Sequence, residues 1–373
     1  MRYHRTDDGN VNPCQAKTPE RCLYSESRHF DSVEEAQSDY EQEMKNQETN
    51  SVSKKSQTSD KRVKTLVNRV LPPGSDLYKE GQKQQKIMDD ARDHETMITP
   101  QQFEAHHEYI TEVTELLNKQ GLSTDRIYAQ DALADSTVYT KEREALHREI
   151  IDEYMEQNKH VPNNGEAVIA GGLGGAGKGS TMSKTGVADP KKYATINPDD
   201  VKEIMARKGM IPKIPGALPM EVSTLVHEEA SHVSGRLMTK LLSQKKNILL
   251  DVTMGSEKSS AKKIDRLKNN GYKVNAFFVD IEPDTSIQRG EGRYRDGLNK
   301  YFLTGDGSEA RPLPSHVVDN QRTKSSMRSK NAENLVKLVS NGKIETTPRV
   351  FDNMGKEPVE KDYKKFARGY LYK

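Results

Sequence analysis

Apolar positions along the 373-residue chain change their spacing near residue 160. From 73 to 160 they recur at helical intervals with polar interruptions. The clearest stretch is Thr140–Gln157, where Thr140 is placed to cap and Leu146, Ile150 and Tyr154 recur at i, i+4 and i+8. Thr99 followed by Pro100 predicts an earlier helix start. Beyond VPNNGE the apolar residues come in short runs: Ala167–Ala170, Tyr193–Ile196, Ile248–Leu250, Val274–Val279 and a last pair, Val350–Phe351. Between them lie helical stretches over Met220–Ser243 and Ser256–Asn269, with Ser256 as a cap. Strands alternating with helices predict a parallel sheet with crossover helices. The amino-terminal end is different again. Residues 1–30 read as irregular, 31–48 as an acidic helix capped by Asp31 or Ser32, and TNSVSKKSQTSD as polar linker. The expected organisation is an amino-terminal module over 1–48, a linker over 49–72, a helical region over 73–160 and an α/β domain over 161–373.

Composition adds limits rather than chemistry. Apolar residues make up 33% and charged residues 31%, so part of the chain is expected outside any packed core. No apolar run reaches the ~18 residues of a membrane span. The polar start MRYHRTDDGN is unlike a signal peptide, and two cysteines make no disulfide framework, which fits a reducing cytoplasm. With 58 basic against 56 acidic residues the net charge is +2, so bulk charge calls for no nucleic acid.

The chemistry begins at AVIAGGLGGAGKGSTMSK. A strand enters, glycines turn the chain, and a helix leaves with its positive end at the same spot, a geometry that binds nucleotide phosphates. Gly172 through Lys178 fits G-x-x-x-x-G-K, with Gly174, Gly175, Ala176 and Gly177 between, and Lys178 would reach the outer phosphates. The next residue is Gly179, where the strict signature has a hydroxyl; Ser180 and Thr181 follow. The same order, G-K-G-hydroxyl, occurs in adenylate-kinase-like loops, so the fold class expected is that of a P-loop kinase.

A kinase also needs a group that takes the acceptor's proton. Asp199 and Asp200, in ATINPDDVKEIM, lie between a strand and a helix, where they could do this or simply cap the helix. Asp251 ends the apolar run KNILLD, the place of a magnesium-binding strand-end acid. The segment from Ser286 holds Arg289, Arg293, Arg295 and Arg311 among glycines, and reads as a mobile basic lid. QRTKSSMRSK reads as a cationic helix, more simply solvated than phosphate-contacting.

The order of AVIAGGLGGAGKGST, INPDDVKE, HEEASHVSGRLMTKLLSQKKNILLDVT and the block from FVDIEPDTS through RYRDG to ARPLPSHVV resembles the zeta-toxin family of P-loop kinases. The likeness covers roughly 161–353. It implies an ATP- and Mg²⁺-dependent kinase, a toxin countered by an antitoxin, that phosphorylates a hydroxyl of a UDP-activated amino sugar, chiefly UDP-N-acetylglucosamine. On this likeness Lys178 binds the β- and γ-phosphates and Ser180 or Thr181 lies near magnesium with Asp251. Asp199 matches the base, and Arg293 and Arg311 match phosphate-contacting arginines. Two positions depart from the family: Gly179 stands for the usual hydroxyl, and Gly235 for an acidic sugar-contacting residue in some members. Three other readings stay open on the residues alone: a P-loop kinase for a nucleotide, a nucleic-acid end or a metabolite; a non-catalytic ATP-binding structural or delivered protein; and a toxin inhibited by its own amino-terminal residues.

Residues 1–45 resemble a short module found ahead of effector-like domains in some bacterial and phage proteins. Its His4, Cys14, Cys22 and His29 are either a Cys₂His₂ zinc set or two ordinary thiols beside two histidines.

Overall fold

The computed structural model describes residues 2–5, 11–14, 28–30, 63–133, 136–189 and 191–371. The acidic helix expected over 31–48 lies outside them. The chain divides into two units, Met1–Val63 and Lys64–Lys373.

In the first unit, strands β1 (Arg2–Arg5), β2 (Val11–Cys14) and β3 (Arg28–Phe30) form an antiparallel sheet in the order β2-β1-β3. This corrects the expectation of an irregular segment. Strands of three or four residues are too short to show a period of two. The register sets His4 opposite His29, and Cys14 opposite Arg2. Cys22 lies outside the described residues, so the zinc set is described at three of its four positions, and only by backbone.

Helical residues 63–70 (α1) begin at the boundary between the units, where linker was expected. Val63, Val67 and Leu71 recur four apart and are buried, a signal masked by the polar stretch before them. The helical region follows as α2 (Asp76–Asp93), α3 (Pro100–Lys119), the short α4 (Thr124–Tyr128), a hairpin of β4 (Ala129–Leu133) and β5 (Ser136–Tyr139), and α5 (Lys141–Gln157). As the sequence predicts, α3 starts just after Thr99 and the Thr140 hydroxyl accepts from the Arg143 amide at α5; Thr99 and Gln102 also form a capping box. The hairpin was not anticipated.

The α/β part contains β6 (Glu166–Gly171), α6 (Lys178–Thr185), β7 (Ala194–Ile196), α7 (Pro198–Arg207), a 3₁₀ stretch Pro219–Val226, α8 (His227–Ser243), β8 (Ile248–Asp251), α9 (Glu257–Asn269) and β9 (Lys273–Asp280). It continues with α10 (Pro283–Thr304), α11 (Ser315–Asp319), α12 (Lys330–Ser340), β10 (Arg349–Asp352), β11 (Val359–Lys361) and α13 (Tyr363–Leu371). The six strands run in the order β11-β10-β9-β6-β8-β7, parallel except for β11. All five apolar runs are strands, and Ser256 caps α9. Val168, Leu249, Phe277, Val279 and Phe351 pack into one core, since a parallel sheet covered on both faces needs apolar residues throughout. From β6 the chain goes to the β7 edge, returns to β8, then crosses to β9 on the other side of β6. Ligands in open α/β sheets bind at such a reversal, at the strands' carboxyl ends.

Two cationic stretches depart from expectation. The lid begins as a 22-residue helix, α10. Its glycines serve close packing: a Cβ at Gly297 would lie 2.5 Å from the Glu309 carbonyl carbon, and one at Gly290 would lie 2.8 Å from Leu313. Residues 321–329 form no helix; α12 starts at Lys330, capped by Ser329.

Two buried polar clusters join the helical region to the α/β part. Tyr294 on α10 and His106 on α3 both meet Glu221 Oε1, at 2.5 and 2.7 Å, and the Leu218 amide donates to Oε2 at 2.7 Å. On α8, Glu229 accepts from Arg143 at 2.6 and 2.9 Å and from His147 Nε2 at 2.6 Å. Burial by itself would raise the Glu229 carboxyl; the hydrogen bonds from His147 and Arg143 outweigh it and hold it at about 2.

Candidate active site

The loop between β6 and α6 is held in a shape that glycine permits. Gly172 has φ +134°, and a Cβ there would sit 2.5 Å from the Val279 carbonyl oxygen. Gly177, at φ +78°, occupies the N-cap of α6, so the helix's free amides face the loop. Neighbouring elements pin the loop from outside. Ser286 Oγ donates to the Gly174 carbonyl at 2.5 Å and Asn353 Nδ2 to that of Ala176 at 2.8 Å. Lys178 Nζ lies 3.4 Å from both the Gly172 carbonyl and Asp251 Oδ1. The Ser180 hydroxyl donates back to the Gly177 carbonyl at 3.0 Å, while Thr181 Oγ1 is buried with no hydrogen-bond partner. A Cβ at Gly179 would touch nothing within 4 Å, so sterics do not impose the missing hydroxyl there.

Helix capping and chemistry compete for the aspartates in the sequence. Asn197 caps α7, its side chain accepting from the Asp199 amide at 3.0 Å, which leaves both carboxyl groups free for other partners. Asp199 Oδ1 lies 3.1 Å from Lys202 Nζ and Oδ2 lies 3.4 Å from Arg311 Nη1. Burial acts to raise its carboxyl, but Arg311, Lys202 and Arg293 together hold it below the ordinary range. Asp200 behaves oppositely. Burial, then Glu203, Asp251 and Asp199, push it up to about 7. Adjacent carboxyl groups are thus driven apart, the usual condition for giving two acids different work.

Arg311 and Arg293 also meet here. Burial and then Arg311's charge lower the Arg293 guanidinium, and Arg311 Nη1 is buried without a hydrogen bond. Two cations crowded together suit an anion. Arg289 instead donates to the Asn353 carbonyl at 2.7 Å, and Arg295 stacks 4.6 Å from the Phe103 ring centre; both are occupied by structure. Beside Asp200 opens a cavity of about 670 Å³, walled by Glu203, Tyr154, Met220, Tyr301 and the 305–308 turn.

The structure thus brings Lys178 together with Asp251, and Asp199 with Arg311. Lys202, Asn353, Ser286 and the two tyrosines were not foreseen. Only Lys202 left a signal, three residues past Asp199 on the same helical face. Gly235 has open space around it on α8, and the sugar-contacting role of that position stays without a side chain.

A parallel sheet reversing at β6, a glycine loop ending in Lys178, and acids on the neighbouring strand ends define the P-loop kinase class. The Zeta toxin family model matches residues 151–354, more than half of the chain. The chain belongs to the zeta toxin family and is a toxin-like, ATP-dependent kinase by that membership. The chain is similar to one in the crystal structure of AvrRxo1-ORF1:-ORF2 with ATP, at 19% identity and TM-score 0.46, over 64% of this chain and 75% of that one. It is also similar to a structure of the PezAT chromosomal toxin–antitoxin system of Streptococcus pneumoniae, at 17% identity and TM-score 0.42, over 61% and 84%. None of the curated proteins matches the chain. Among the described residues no helix is long and apolar enough to cross a membrane.

Proposed function

We propose that this kinase transfers the γ-phosphate of ATP to a hydroxyl of a UDP-activated amino sugar, UDP-N-acetylglucosamine, and is held in check by an antitoxin. The observation that carries the reading is the placement of an ionised Asp199 between Lys202 and Arg311 at the carboxyl edge of the sheet, beside the Lys178–Asp251 pair. Asp199 takes the proton of the attacking hydroxyl. The loop amides and Lys178 hold the β- and γ-phosphates, and Arg293 and Arg311 draw charge from the moving phosphoryl group as it develops. Crowded carboxylates at Asp200 and Asp251 and the orphaned Thr181 hydroxyl are hard oxygen donors that fit magnesium, with Ser180 able to turn toward it. When bound, that ion would neutralise phosphate charge. The cavity beside Asp200 has the volume of a nucleotide-sugar subsite, and its carboxylates suit sugar hydroxyls.

The test is ATP turnover with Mg²⁺ and UDP-N-acetylglucosamine, followed by phosphorus NMR. A new phosphomonoester resonance, absent with Lys178→Ala, is expected. ATP consumed with no phosphorylated sugar would overturn the acceptor, and undiminished turnover by Lys178→Ala would overturn the phosphate site.

A further inference from the structure

Away from the sheet edge, α5 and α8 each carry a Glu-x-x-His: Glu144 with His147, and Glu229 with His232. Spacing of i, i+3 puts each pair on one face, and the two helices meet along it. His147 stands at the centre, fully buried. Its Nε2 is engaged by Glu229 Oε1 at 2.6 Å, which leaves Nδ1 as the free nitrogen. That atom is buried and has no hydrogen-bond partner. Facing it at 3.9 Å is Glu144 Oε1, too far for a hydrogen bond. A ring nitrogen of His232 completes the group, with all three potential donor atoms within 4.8 Å of one another. Two acceptor-rich atoms converging across a gap, one of them buried and unpartnered, call for a cation between them.

The surroundings suit a metal more than a water. Arg236 Nη1 donates to Glu144 Oε2 at 2.7 Å, which orients the carboxylate and leaves Oε1 toward the gap. Glu229 sits behind His147 as the carboxylate of a carboxylate–histidine–metal relay, and is itself fixed by Arg143. Tyr139 closes one side, its ring centre 4.8 Å from that of His147 and 5.1 Å from that of His232. Glu144 and His232 are half-buried, so the site is open to solvent for entry and for a completing water, and both can close the remaining distance by side-chain motion.

We propose that Glu144, His147 and His232 bind a divalent transition-metal ion, zinc, as a clamp between α5 and α8. Two imidazoles and one carboxylate with a water make a four-coordinate zinc set. It is chemically unlike the all-oxygen magnesium donors of the kinase site, and it does not depend on the acceptor proposed above.

The experiment uses the full chain carrying Cys14→Ser and Cys22→Ser, so that no thiolate set contributes, stripped with a chelator and titrated with Zn²⁺ against a chromophoric competitor. One equivalent bound, with a rise in melting temperature, is expected. Co²⁺ in place of zinc should give weak visible bands without thiolate charge transfer. His232→Ala removes a direct ligand and should weaken zinc binding by more than the roughly 10–100-fold typical of losing an outer-shell partner. Glu144→Gln, which keeps the side chain's shape, should weaken it by at least about 10-fold. No binding in the Cys→Ser chain, or binding unchanged in both variants, would overturn the proposal.

Discussion

The sheet edge and the seam between the helical region and the α/β part are both rich in buried or half-buried charge, yet they are built on opposite plans. At the seam the two most buried carboxylates are matched: Glu229 by Arg143 and His147, Glu221 by His106, Tyr294 and a backbone amide. At the edge the matching is incomplete. Asp200 is crowded by other acids, Arg293 by another arginine, and Arg311 Nη1 makes no hydrogen bond although Asp199 lies 3.4 Å away. Matched charge fixes architecture; surplus charge of both signs, held close, waits for a ligand that carries both phosphate and metal.

The contrast can be broken most severely at Asp199. Asp199→Asn should lower turnover by about 10²–10⁴ while ATP still binds, as expected for loss of a general base. The pH profile distinguishes it from its neighbour. A base held below the ordinary carboxylate range gives rates that stay flat through neutrality and fall only in acid, whereas an Asp200 base would produce a limb near pH 7.

At the seam, Glu229→Ala should reverse the symptom: stability lost by about 3–5 kcal/mol, because Arg143 is stranded in the interior, with the folded fraction turning over normally. Chemical denaturation and turnover per folded molecule measure the two halves of that statement. Equal loss in both would erase the distinction between seam and edge.

Asp200→Asn probes a smaller effect. A carboxyl raised from its ordinary value to about 7 favours the fold while protonated; that contribution is complete below the ordinary value and is lost as pH rises through about 7. The asparagine variant should therefore gain melting temperature relative to the parent at pH 8 and match it near pH 4. Identical pH dependence in the two proteins would remove Asp200 from the strained set. Smallest of all, Gly179→Ser should shift the melting temperature by under about 2 °C, since the site is open and surface changes are usually slight.

What could be read from the chain followed burial. The five parallel strands were legible because a strand covered on both faces is an unbroken apolar run. β11, an edge strand with exposed Val359, left no such run. The phosphate loop was legible because its backbone demands glycine, and the same reasoning failed in α10, where Gly290 and Gly297 make room for neighbours inside a regular helix. Asp199 and Asp200 could be located but not separated, because what separates them is their surroundings: Lys202 and Arg311 on one side, Glu203 and Asp251 on the other. The seam was invisible, since His106, Arg143 and His147 look like solvent residues of polar helices until their partners arrive from beyond residue 220.

The seam also sets where this gene can be cut and joined. His106, Arg143 and His147 reach Glu221 and Glu229 from helices more than 80 residues upstream. A breakpoint just before β6, at the edge of the recognisable phosphate loop, would transplant a kinase whose buried carboxylates had left their counterparts behind. A new leader sequence is therefore expected to be tolerated only when spliced upstream of α2, with the helices travelling as part of the enzyme's own inheritance.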